Sequence, residues 1–181
     1  MTPEFSRPER LDAIGAGERT VAIEADAAER AALATRFGLV SIERLVATYR
    51  VRKMTGGRGA GIAAEGRVQA QVTQACSITD EPWRAVVDEA VSLLFAEEGA
   101  PAEEVELDAD VLDTLPIEDG AIDLGEAAAE TMVLALDPFP RGPNAAAVLR
   151  EAGVLSEDEV RPVTGLAGLG QLFAAKSAPD D

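Results

Sequence analysis

Taking every second residue from Ile62 gives Ile62, Ala64, Gly66, Val68, Ala70, Val72, Gln74, Cys76 and Ile78, apolar or small except for Gln74. The interleaved set, Ala63, Glu65, Arg67, Gln69, Gln71, Thr73, Ala75, Ser77 and Thr79, is polar or small. Strict alternation over this length predicts an antiparallel strand with one face buried and the other in water. Thr79-Asp80-Glu81-Pro82 interrupts the pattern, and Trp83, Ala85, Val87, Val91, Leu93 and Phe95 resume it, so residues 61–96 read as a long β-hairpin. Upstream, Ser41–Met54 alternates as well, with Leu45, Ala47, Tyr49 and Val51 on one face and Arg44, Val46, Thr48, Arg50 and Arg52 on the other. The Gly56-Gly57-Arg58-Gly59-Ala60-Gly61 segment turns that strand into the next, giving a three-stranded meander over residues 41–96.

The pattern changes around this meander. Residues 4–14 read as a pairing strand with Phe5, Leu11 and Ile14 directed to the core, and residues 20–23 as a short strand. Asp26 followed by Glu29 is a capping box opening an alanine-rich helix that Gly38 stops. Val105, Leu107, Ala109 and Val111 alternate with acidic residues and predict a further strand. Asp123 with Glu126 three residues on predicts a second helix start, running through Leu136, before Pro138, Pro140 and Pro143 end it. Asn144 caps a shorter helix through Ala152, residues 156–159 form a brief turn, residues 166–176 a last amphipathic helix, and residues 177–181 a frayed tail. The expectation is an α+β fold: an antiparallel sheet built on a long hairpin, with helices packed at its ends and closure into a barrel left open. Residues 1–176 are expected to form one domain.

Composition narrows the function. Aromatics make up 4% of the 181 residues, so aliphatic side chains must fill the core. No apolar run approaches the roughly 20 residues of a membrane span, and residues 1–5 lack the basic-then-apolar order of a secretory signal. One cysteine fits a reducing compartment, the cytoplasm. Histidine is absent, which excludes Ser-His-Asp and Cys-His mechanisms and histidine-ligated zinc. The net charge of −17 is uneven: residues 1–70 hold eleven basic and nine acidic side chains, residues 71–181 five and twenty-four. Between Arg84 and Arg141 there is no basic residue against sixteen acidic ones. Such a split suggests a basic or neutral face joined to an acidic one.

The glycine-rich 56–61 segment lacks the Gly-Lys-Ser/Thr ending of a phosphate loop and is read as a hairpin loop. Arg58 at its tip, with Arg50, Arg52, Lys53 and Arg67 on the adjoining strands, is the candidate RNA-binding patch. The acidic zone, Glu103, Glu104, Glu106, Asp108 and Asp110, is the candidate surface for a basic protein partner. Asp108, Asp110 and Asp113 lack the glycine of a calcium loop, so no metal or cofactor is expected. Cys76 falls on the apolar face and reads as a buried structural thiol. Glu126 and Glu130, four apart on one helix, are spaced as a carboxylate pair, but Glu126 is better explained by capping.

Gln74-Ala75-Cys76-Ser77-Ile78-Thr79-Asp80-Glu81-Pro82, then Ile122-Asp123-Leu124-Gly125-Glu126, Glu130 and residues 134–140, resemble the YceD, or large ribosomal RNA subunit accumulation protein, family. Phe5-Ser6-Arg7-Pro8 and Gly165-Leu166-Ala167-Gly168-Leu169 resemble weakened forms of its first and last motifs. The resemblance implies a bacterial cytoplasmic protein needed for accumulation of large-subunit rRNA, from a family whose genes often neighbour one for a large-subunit ribosomal protein. It brings no catalytic residues. Members often carry Cys-x-x-Cys at the hairpin turn; here Thr79 stands in the second position, so no metal or redox role carries over. The matching motif residues are Cys76, Thr79, Glu81, Pro82, Asp123, Leu124, Glu126 and Glu130, whose chemistry is that of turns, packing and caps. The expected function is therefore a non-enzymatic ribosome-biogenesis factor binding rRNA, a basic large-subunit ribosomal protein, or both. The competing expectation is a magnesium-dependent RNA-processing nuclease using the acidic 103–123 region.

Overall fold

A computed structural model of the chain describes residues 3–54, 61–97 and 113–154. The chain divides into two compact units, Met1–Gly142 and Pro143–Asp181. The first unit is α+β. Its elements are β1 (Pro8–Arg10), β2 (Arg19–Glu24), α1 (Ala27–Phe37), β3 (Ser41–Met54), β4 (Gly61–Ala75), β5 (Pro82–Ala96), β6 (Asp113–Pro116), β7 (Ala121–Asp123) and α2 (Leu124–Leu134). In the second, α3 (Ala145–Glu151) begins at Asn144, whose side chain makes no cap hydrogen bond.

The alternation read from the sequence is realised in the meander. β3, β4 and β5 are consecutive antiparallel neighbours in a five-stranded sheet of order β2-β3-β4-β5-β6. Leu45, Tyr49, Val51, Val68, Val72, Val87 and Phe95 face inward, where Leu33 of α1 and Leu124, Ala128 and Met132 of α2 join them in one core. Arg44, Arg50, Arg67, Gln69 and Asp88 stay outside, as a half-buried sheet requires. α1 forms where it was expected: Asp26 accepts from Ala28 and Glu29 N–H, Glu29 returns the bond to the Asp26 N–H at 2.7 Å, and a left-handed Gly38 ends the helix.

Several expectations are corrected. Residues 4–14 are not one strand. Only Pro8–Arg10 pairs, with β7, while Phe5 and Ile14 reach the core from irregular chain, and Leu11 from a turn. Two short strands went unread, because three or four residues carry no visible period: β7, and β6, which pairs parallel with Leu93–Ala96 at the sheet edge. The long strand ends at Ala75 instead of Ile78, because the Cys76 N–H turns to the Glu81 carbonyl at 2.8 Å. Trp83, expected in the core, is 40% exposed. α2 stops at Leu134, two residues early. The predicted strand over 105–111 and the segments 156–159, 166–176 and 177–181 lie outside the described residues. Among the described residues the sheet does not close, and β2 and β6 are its two outer strands.

Tyr49 is fully buried, its hydroxyl has no hydrogen-bond partner among the described residues, and burial raises its pKa. A buried hydroxyl without a partner forfeits its hydration, at a cost of about 1–3 kcal/mol. Tyr49→Phe is accordingly expected to raise the urea midpoint, by a stability gain of about 1 kcal/mol. A loss of stability would show that the hydroxyl is paired in solution.

Candidate functional site

The widely spaced sequence motifs converge where β7 runs into α2. Asp123 caps that helix, Oδ1 accepting from the Gly125 N–H at 2.9 Å and the Glu126 N–H at 3.1 Å. The same carboxylate accepts from the Arg7 N–H at 2.8 Å and the Ser6 hydroxyl at 2.5 Å. Arg7 then grips Glu29 with both Nη atoms, at 2.7 and 2.9 Å, and its guanidinium holds the Glu29 carboxyl below the ordinary carboxylate range. The caps of α1 and α2 are thereby joined through Ser6 and Arg7. Gly125 is part of the fit: a Cβ there would stand 2.4 Å from the Phe5 carbonyl oxygen.

Beside this knot opens a cleft of about 590 Å³. Pro3, Pro8, Leu115, Pro116 and Ala121 give it accessible apolar walls backed by buried Phe95, Ile122 and Ala127, and Glu118, Asp119, Glu126 and Glu130 are among its acidic groups. Arg36 bridges Glu4, at 2.9 Å, and Glu126, at 2.6 and 3.0 Å, and this pairing raises its already high pKa. Glu126 is thus a salt-bridge partner of α1, where the sequence suggested a reciprocal cap. Burial, and then the Glu126 charge one turn away, push the Glu130 carboxyl up, while Arg36 pulls it down. Among the described residues, no group of three or more Cys, Asp or Glu is placed to hold a metal ion.

The predicted basic patch is only partly assembled. Arg50 and Arg52 share Glu65, at 3.3 and 3.0 Å, and Arg67 reaches Asp88 at 2.5 Å, so two carboxylates offset most of the charge of three cations on the outer face. Lys53 falls on the opposite alternation face, level with Ile62. Arg58 and the partner candidates Glu103, Glu104, Glu106, Asp108 and Asp110 lie outside the described residues.

At the far end of the hairpin, the Thr79-Asp80-Glu81-Pro82 turn is held by its own side chains: the Thr79 hydroxyl meets Glu81 Oε2 at 3.2 Å, and Asp80 adopts φ 55°. Cys76 is fully buried, as expected. The Thr79 hydroxyl, then the Gly142 N–H at 3.3 Å, lower its thiol pKa to about 7. Ser77 donates through N–H and hydroxyl to the Pro140 carbonyl, and Gln74 donates to that of Asp137, pinning the 137–142 loop to the turn. The loop displays Phe139, 70% exposed, beside Trp83 and Arg141 on a second cleft of about 510 Å³. Sequence reasoning missed this pair: Trp83 lies on an apolar stripe, and Phe139 sits between two prolines.

No helix among the described residues is long and apolar enough to cross a membrane. No curated protein and no solved structure matches the chain. A family model does, that of the large ribosomal RNA subunit accumulation protein YceD, over residues 64–173. That match takes in the hairpin turn, Asp123, Glu126 and the 137–142 loop, which hold distant parts of the chain together, and Glu130 in the cleft. The chain belongs to the YceD family, whose name assigns it a role in accumulation of the large ribosomal RNA subunit.

Proposed function

We propose that the protein is a non-enzymatic ribosome-biogenesis factor that supports accumulation of large-subunit rRNA by binding a basic protein of that subunit. The observation that carries this reading is the fate of the charges. Glu65 and Asp88 engage Arg50, Arg52 and Arg67 and leave a single net positive charge among the five, whereas Glu118, Asp119 and Glu130 line an open cleft in a chain of net charge −17. A surface of this sign attracts cations and repels a phosphate backbone. Direct rRNA contact is a second reading, supported by the exposed Trp83 and Phe139 beside Arg141, because such rings stack on unpaired bases.

The test is co-purification from cells at low and high salt, with identification of both proteins and RNA. A basic large-subunit protein should be retained at low salt and released at high salt. RNA recovery should be unchanged by combined replacement of Arg50, Arg52, Lys53 and Arg58. Retention of RNA without any such protein, lost on replacing Trp83 and Phe139, would transfer the function to the second reading. Cleavage of precursor rRNA by the pure protein with magnesium, abolished by replacing Asp108 and Asp110, would make it a nuclease and overturn both.

A further inference from the structure

We propose that the cleft between β6, β7 and the first turns of α2 receives arginine side chains from an extended basic segment of a partner protein. This deepens the reading above, on which it depends for the class of partner.

The lining chemistry selects the ligand. Among the described residues, six carboxylates face this space, those of Glu4, Glu118, Asp119, Asp123, Glu126 and Glu130, against one guanidinium, that of Arg36. Arg36 is already spent on Glu4 and Glu126, and Asp123 on four donors. That leaves Glu118, Asp119 and Glu130 to meet an incoming charge. An oligonucleotide is excluded by sign. A bare divalent cation is a poor match as well, because the described carboxylates are spread along the walls and no three converge. Between them lies accessible apolar surface from Pro3, Pro8, Leu115, Pro116 and Ala121. An arginine satisfies both: its aliphatic stem covers apolar surface while its planar head takes carboxylates two at a time. Arg36 shows the mode within the molecule, forking onto Glu126 at 2.6 and 3.0 Å. The cleft, at about 590 Å³, exceeds what one ammonium group would fill and falls in the range of ligand pockets. The elevated pKa of Glu130 agrees, since a carboxylate held among apolar groups and near another negative charge gains from a bound cation.

The experiment is a fluorescence-anisotropy titration of the full chain with a labelled peptide of alternating arginine and leucine. Its control is the same peptide with citrulline for arginine, which keeps the shape and removes the charge. Glu118→Gln/Glu130→Gln is expected to weaken arginine-peptide binding about tenfold or more. Asp80→Asn/Glu89→Gln, which removes two charges from the β4–β5 hairpin away from Phe95, should change it less than about twofold. The citrulline peptide should not bind. Urea midpoints of both variants confirm folding before affinities are compared. Equal weakening by the two variants would reduce the effect to diffuse attraction and overturn the proposal. So would unchanged binding in the cleft variant, or displacement of the peptide by single-stranded oligouridylate. A wild-type chain that ignores the peptide yet still retains a basic large-subunit protein from cells would defeat the cleft assignment alone. Absence of both would defeat the functional reading with it.

Discussion

Asp123→Ala is expected to lower the unfolding free energy by about 2–4 kcal/mol, the sum of a lost helix cap and of donors left without a partner. The cap alone is worth about 1 kcal/mol. Asp123 does more than cap, because its carboxylate also accepts from the Arg7 N–H and the Ser6 hydroxyl, 116 and 117 residues earlier in the chain. A backbone N–H held against a folded neighbour cannot recover water freely once its acceptor is removed, so it adds about 1–3 kcal/mol. Ser6→Ala should cost less, about 1 kcal/mol, since it removes a donor and leaves the carboxylate its other three. Asp123→Asn separates the contributions: Oδ1 still accepts the N–H groups, while the amide cannot accept from the Ser6 hydroxyl in its present orientation. Urea unfolding gives the free energies, and hydrogen exchange at Arg7, Gly125 and Glu126 gives the location. Unfolding of Asp123→Ala at the wild-type midpoint would mean that the N-terminal segment is not fastened here in solution.

Much of the sheet was legible because it depends on a period. The alternation through β3, β4 and β5 is set by which faces meet the core, and a half-buried strand of fourteen or fifteen residues repeats that signal often enough to read. Asp26 with Glu29 was legible for a different reason: a capping box is complete within four residues. What could not be read was settled by partners far away in sequence. β6 is a strand because the edge of β5 accepts it, and Asp-Thr-Leu-Pro carries no pattern that says so. The candidate site divides in the same way. Asp123 was recognisable as a cap, but its reach to Ser6 and Arg7 was not, nor was the replacement of a Glu126 cap bond by Arg36. The basic patch misled because spacing places cations without showing their counterions. Register puts Arg50 opposite Glu65, and Gln69 opposite Asp88, whose carboxylate then takes Arg67 as well.

Gly66 interrupts the apolar series of β4, and Gly66→Ala is expected to cost about 3 kcal/mol or more, at the severe end of overpacking effects. Alanine has the higher strand propensity, so a residue-level scale gives the opposite sign. Geometry decides against it. Gly66 sits between Tyr49 on β3 and Val91 on β5, in the middle strand of the meander, and a Cβ would stand 2.0 Å from the Thr48 carbonyl oxygen. The next atoms, the Thr48 carbonyl carbon and the Tyr49 Cα at 3.0 Å, are backbone too, so no side-chain rotation relieves the contact. β3 and β4 would have to separate locally and give up ladder bonds over Tyr49, which is itself core. Ala64→Gly, one step along the same face, is the control: it deletes a methyl and adds backbone freedom at a cost of about 1–2 kcal/mol. Urea titration of the two variants reads the difference, and division between the soluble and pelleted fractions on expression reads it if Gly66→Ala fails to fold. Gly66→Ala unfolding at the wild-type midpoint would mean that β3 and β4 are farther apart at this position than described. The gap in the hydrophobic pattern at Gly66 is therefore a place where the β3 backbone leaves no room for a Cβ, and a side chain there would push the two strands apart.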